Sequence, residues 1–115
     1  MKKFKLDKPR EECGIFGIYD HKDASALAAL GLHALQHRGQ EGCGIVSFDG
    51  NTFHSEKRQG LVGDHFTDPI TINKLPGRFA IGHNRYSTTG EISLRNIQPF
   101  FADLYGGGVS LAHNG

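Results

Sequence analysis

Sixteen glycines in 115 residues constrain this chain more than any other feature. They fall in clusters, at Gly14/Gly17, Gly39/Gly42/Gly44, Gly60/Gly63 and 106–108. Such spacing divides a chain into short elements joined by tight turns, with backbone lying close to backbone or to a ligand. One helix of useful length is predicted, from Ala24 to about His37. Leu27, Leu30, Ala34 and Leu35 recur there close to helical spacing. Asp23 is placed to cap its start. Arg38-Gly39 ends it, with Gly39 suited to the left-handed residue that follows a helix.

The other elements read as strands. Gly14–Tyr19 is apolar on both faces and is expected to be buried. Residues 44–48 and 52–57 form a hairpin about an Asp49-Gly50 or Gly50-Asn51 turn. Residues 59–65 read as a turn, and 66–78 as irregular, marked by Pro69 and Pro76. A strand at Phe79–Tyr86 and a polar loop at 87–90 follow. Gln98-Pro99-Phe100 is extended, because the residue before proline is pushed out of the helical region. Residues 109–113 form a last strand. One helix among several strands predicts an α+β layered domain. A strand running into His113-Asn114-Gly115 lacks the sheet partners that should follow it, so a truncated chain is expected.

The formal charge is +1, unevenly placed. Residues 1–12 hold five cations (Lys2, Lys3, Lys5, Lys8, Arg10) against three carboxylates (Asp7, Glu11, Glu12). That is +2 for the leader and −1 for the remainder, so the body carries no basic footprint for nucleic acid. The leader lacks the apolar run of a secretory signal and the acid-poor character of a transit peptide. No segment is long enough to cross a membrane as a helix. Two cysteines make a poor disulfide framework, which points to a reducing, cytoplasmic setting.

Cys13 stands where that leader meets the first strand. Were residues 1–12 removed, Cys13 would carry both a thiol and a free α-amine, with reference pKa values of roughly 8.5 and roughly 8. The amine could then act as general base for its own thiol. The alternative is a buried strand cysteine. In the turn after the helix, a backbone carbonyl beside Arg38 and Gly39 could receive that amine, or the turn could simply be a solvated cap. Arg85 ends a strand and precedes Tyr86-Ser87-Thr88-Thr89-Gly90. It suits a carboxylate ligand held in bidentate fashion, with the loop closing over it, or it is a surface arginine beside a polar turn. The Asn114 side chain and the Gly115 N–H could converge on one oxyanion, or form a plain turn. His33 and His37 have the spacing of a zinc-binding helix. However, Ala34 stands where metalloprotease chemistry needs glutamate, and no third ligand is evident.

Taken in order, Cys-Gly-Ile-x-Gly, the Arg-Gly turn, Gly-His-x-Arg-Tyr and the terminal His-Asn-Gly resemble the class II glutamine amidotransferases. These are N-terminal-nucleophile hydrolases, and the resemblance spans nearly all of 12–115. Leu-Gln-His-Arg-Gly-Gln-Glu (35–41), Arg-Tyr-Ser-Thr-Thr-Gly (85–90) and Asn-Ile-Gln-Pro-Phe (96–100) resemble the branch that delivers ammonia to phosphoribosyl pyrophosphate in purine synthesis. The aminosugar-forming branch typically has Tyr-Arg-Gly-Tyr-Asp and Arg-Trp-Ala-Thr instead.

The resemblance implies a portion of a four-layer αββα sandwich and a propeptide at 1–12. It implies Cys13 as nucleophile, with Arg38 and Gly39 supporting its amine and Asn114 and Gly115 as the oxyanion site. Glutamine would be held by Arg85, Tyr86 and Thr88. It implies no metal or cofactor in this segment, with Mg2+ and an iron–sulfur cluster in the full-length enzyme, and a homo-oligomer under nucleotide control. The paired acidic residues and Thr/Gly-rich loop of a phosphoribosyl-pyrophosphate site are not found, so 13–115 reads as about half of a glutaminase domain. Half a sandwich exposes apolar sheet, so the segment alone is expected to be poorly soluble or inactive. The alternatives are another class II amidotransferase, or a non-catalytic module of that shape that keeps its leader.

Overall fold

The computed structural model describes residues 14–35, 40–60, 65–86, 97–104 and 107–112. Strand β1 (Gly14–Tyr19) leads into helix α1 (Ala24–Leu35), then into a hairpin of β2 (Gln40–Phe48) and β3 (Phe53–Gln59). A short helix α2 (Pro69–Asn73) precedes β4 (Phe79–Tyr86), and β5 (Phe100–Leu104) pairs with β6 (Gly107–Leu111) in a second sheet. The main sheet has the order β1-β4-β2-β3, and each neighbouring pair is antiparallel. The result is the mixed α+β fold that the pattern predicts.

Alternation along the strands sorts the side chains into two faces. Phe16, Ile18, Cys43, Ile45, Ser47, Ala80, Gly82 and Asn84 share the face that meets α1. Ala24, Ala28, Ala29 and Leu32 of α1 pack there against Cys43, Ile45 and Ala80, with Phe66 and Leu75 closing the end. Burying Leu32 or Ile45 contributes about 1.5–3 kcal/mol each. The helix sits close because glycine stands at both contact points. A Cβ on Gly31 would overlap the Phe16 ring, and one on Gly82 would lie 2.6 Å from Leu32 Cδ1.

Residues 66–78 are more regular than the sequence pattern predicts. Asp68 accepts a hydrogen bond from the Ile70 N–H at 2.9 Å and Pro69 opens α2, so Asp-Pro here starts a helix. Proline suits the first helical position because its missing N–H would have no partner there. Ser25 Oγ donates to the Leu75 carbonyl and Ser47 Oγ to that of Pro76, both at 2.8 Å. Gly77 has φ +119, and a Cβ there would collide with the Phe48 carbonyl.

Three other expectations need correction. β1 is an edge strand flanked only by β4 among the described strands, so it is half-buried, and Tyr19 is 84 % exposed. Apolar character on both faces does not reveal which strands will flank an element. β2 starts at Gln40, before the predicted 44, because β4 pairs back to Gln40 across an irregularity between Gln40 and Gly42. The last strand, β6, spans Gly107–Leu111 instead of 109–113, because it pairs with β5, into which the extended Gln98-Pro99-Phe100 stretch continues. The predicted helix end at 36–37 lies outside the described residues.

On the face opposite α1, the rings of Tyr19, Phe79, Phe48 and Phe53 run across all four strands. Successive centroids are 5.2, 6.2 and 5.0 Å apart, in the range for favourable aromatic pairs. Toward the other end of that face, Gly44 lies against the Gln98 carbonyl, and Lys57 Nζ lies 5.3 Å from the Phe100 ring centre. The β2–β3 hairpin closes on Asp49. Its Oδ1 accepts from the N–H groups of Asn51 and Thr52, and its Oδ2 lies 2.8 Å from His54 Nε2.

Gly31→Ala tests the close approach of helix and sheet. Alanine would favour the helix by about 1 kcal/mol, but overpacking against Phe16 costs about 1–3 kcal/mol. Net destabilisation is expected in denaturant unfolding of the full-length protein. A stabilised variant would show that the helix can move away from the sheet.

The hairpin generates a pH prediction. The His54 hydrogen bond, followed by those from the Thr52 and Asn51 N–H groups, holds the Asp49 carboxyl well below the usual carboxylate range. A lowered folded-state pKa means stability that is complete above the unfolded value of about 3.9 and lost as pH falls below it. The difference in melting temperature between wild type and Asp49→Asn should therefore be constant from pH 5 upward on this group's account and shrink below pH 4. A difference that does not shrink on acidification would contradict this.

Candidate active site

The register brings four element ends to one edge of the fold. Gly14 of β1 and Cys43 of β2 both lie opposite Asn84 of β4, and Gly42 lies opposite Arg85. The last residue of α1 arrives at the same place. A Cβ on Gly14 would lie 3.3 Å from both Cβ and Cδ1 of Leu35. So β1 begins, β2 begins, β4 ends and α1 ends within one small region. Cys13 is the residue ahead of Gly14 in the chain. Residues 36–39 join Leu35 to Gln40, and 87–90 follow Tyr86.

Cys13, Arg38, Gly39, Thr88, Asn114 and Gly115 lie outside the described residues, as do the 1–12 leader, His37 and the side chain of Tyr86. Of the expected glutamine-binding set, Arg85 is the residue described in full. It is half-buried at the end of β4, and its Nε is buried with no hydrogen-bond partner among the described residues. A guanidinium in that state has donors available for a planar anion, and bidentate pairing with a carboxylate would satisfy them. By strand alternation Arg85 shares its face with fully buried His83, opposite the face that carries α1.

Asn84 is the residue the sequence reading passed over. It is fully buried, faces α1 and donates from Nδ2 to the Leu32 carbonyl at 2.8 Å. Its Oδ1 is buried with no hydrogen-bond partner among the described residues. An unpaired buried acceptor costs about 1–3 kcal/mol. The available signal was a polar residue inside a strand whose neighbours read as core.

Cys43 is fully buried against α1 and belongs to the apolar core. His33 is exposed on α1. Among the described residues, no group of three His, Cys, Asp or Glu side chains could hold a metal ion.

No protein-family model matches the chain. Full-length relatives do. It is 64 % identical over 109 residues to amidophosphoribosyltransferase of Rhizobium etli, a match covering 95 % of this chain and 22 % of the relative. It is 55 % identical over 109 residues to the chloroplastic enzyme of that name from Vigna aconitifolia, again over 95 % of this chain and 22 % of the relative. The backbone is similar to the solved glutamine phosphoribosylpyrophosphate amidotransferase of B. subtilis, which was complexed with ADP and GMP. That match has a TM-score of 0.74 and 41 % identity, over 85 % of this chain and 21 % of that one. The chain thus spans about a fifth of the length of the relatives it matches. By residue sequence and by backbone alike, the chain matches the N-terminal region of amidophosphoribosyltransferases.

Proposed function

We propose that these residues are the glutamine-hydrolysing part of an amidophosphoribosyltransferase, with Cys13 as an N-terminal nucleophile once residues 1–12 are removed. The observation that carries this reading is the Gly14–Asn84 register, which sets the start of β1 beside Arg85. In this proposal Arg85 binds the α-carboxylate of glutamine, and Tyr86 and Thr88 belong to the loop closing over it. The α-amine takes up the thiol proton as the Cys13 sulfur attacks the side-chain amide carbon. The C–O π bond opens to an oxyanion held by the Asn114 side chain and the Gly115 N–H, each donor worth roughly 3–4 kcal/mol in comparable sites. Arg38 and Gly39 hold the turn that supports the amine.

The amine then protonates the leaving nitrogen, the C–N bond breaks, and ammonia departs. Water hydrolyses the resulting thioester, releasing glutamate and restoring the thiol. In the full-length protein, the ammonia would displace pyrophosphate from phosphoribosyl pyrophosphate. This gives 5-phosphoribosylamine, the first committed product of purine synthesis, made in the cytoplasm by a homo-oligomer. Glutamine hydrolysis derives no step from a metal. In this proposal any Mg2+ or iron–sulfur cluster belongs to the remainder of the longer enzyme, and Cys43, packed in the core, is not one of its ligands.

Intact mass of the full-length protein before and after treatment with diazo-oxonorleucine tests the nucleophile. Loss of residues 1–12 and one adduct on Cys13 are expected, with Cys43 unmodified until the protein unfolds. A retained leader with no adduct would reduce the reading to a likeness of fold.

Arg85→Ala tests the carboxylate contact. Loss of charge-assisted hydrogen bonds of about 1.5–3 kcal/mol should raise KM for glutamine by about 10- to 100-fold. An unchanged KM would remove Arg85 from the binding role.

A further inference from the structure

Asn84 does something that packing alone does not require. It sits opposite both Gly14 and Cys43, on the face that meets α1. The carbonyl of Leu32 lies in the last turn of α1. The Asn84 Nδ2 donates to it at 2.8 Å, across 52 residues of sequence. The amide orientation follows from chemistry, since the reverse would point Oδ1 at another carbonyl oxygen. An aliphatic side chain of similar size would avoid burying the unpartnered Oδ1. Polar groups kept in a core at such a cost call for a role other than stability.

We infer that Asn84 is a positioning residue for the glutaminase reaction. Its bond ties the last turn of α1 to the β4 residue immediately before Arg85. It thereby fixes how far the group that would hold the substrate lies from the elements next to the proposed nucleophile, namely the start of β1 and the end of α1. The inference rests on the glutaminase reading above. A substrate gripped at one end and attacked at the other reacts only if those two points are held at the right separation, and small misplacements are costly in rate. Asn84 sets that separation through the two elements it joins.

The test uses the full-length protein and two reagents for the Cys13 thiol. Diazo-oxonorleucine carries the amino-acid end that Arg85 would hold, whereas iodoacetamide is too small to need that contact. In Asn84→Leu, of similar volume but with no donor, labelling by diazo-oxonorleucine should slow about tenfold or more, and labelling by iodoacetamide should stay within about twofold. For glutamine, kcat should fall by a larger factor than KM rises. Equal slowing with both reagents would mean general disruption and would overturn the inference, as would no slowing with either. Where Asn84→Leu does not fold, Asn84→Ala is read in the same way. Failure of the wild-type protein to react with diazo-oxonorleucine would overturn the glutaminase reading itself, a result distinct from a normal wild type beside a normal variant.

Discussion

The structure depends on how near α1 lies to the main sheet. Gly31 on the helix and Gly82 on β4 each leave out a side chain at the point of contact, which lets Phe16 and Leu32 fill the space between. Ala24, Ala28 and Ala29 continue the same narrow packing toward the helix start. A larger residue at either glycine would lift the helix, and the lift would be felt along its whole length because the interface is close-packed. The end of α1 against Gly14 and the Asn84–Leu32 hydrogen bond both follow from that short distance.

The two faces of the sheet have different tasks. The α1 face is dry and apolar, apart from Asn84 and the paired hydroxyls of Ser25 and Ser47. The other face carries Arg85 and His83 at one end and the aromatic row at the opposite end. Cross-strand aromatic pairs stiffen the end remote from the site. At the site end, β2 carries its register irregularity and Gly44 stands against the Gln98 backbone, so backbone is brought close without intervening side chains.

Much of this was legible in the sequence, and the gaps have physical causes. Helix α1, β1, the β2–β3 hairpin and β4 follow from local periodicity and turn chemistry, which are properties of a segment alone. The edge position of β1 was not legible, because neighbours in a sheet are a tertiary fact. α2 was missed by reading Pro69 as a breaker, when Asp68 ahead of it makes it a helix start. Arg85 stood out because an arginine closing an apolar strand before a hydroxyl-rich loop is chemically conspicuous. Asn84, one residue away, did not, since its meaning depends on a carbonyl 52 positions earlier. The chemistry proposed for Cys13, Asn114 and Gly115 rests on motif order, since periodicity says nothing about it.

The strand order has a consequence for the growing chain. β1 is hydrogen-bonded to β4 and to no other described strand, and β4 lies between it and β2. During synthesis, then, about sixty residues emerge after β1 with nothing beside it, while the β2–β3 hairpin can form from its own neighbours as soon as it leaves the ribosome. The strand that follows Cys13 stays without a sheet partner until β4 is inserted between two elements already made. Arg85 arrives on that same late strand. The end of the sheet where β1 begins and Arg85 lies is therefore completed in one event, so a partly made chain would lack the arrangement proposed for the site.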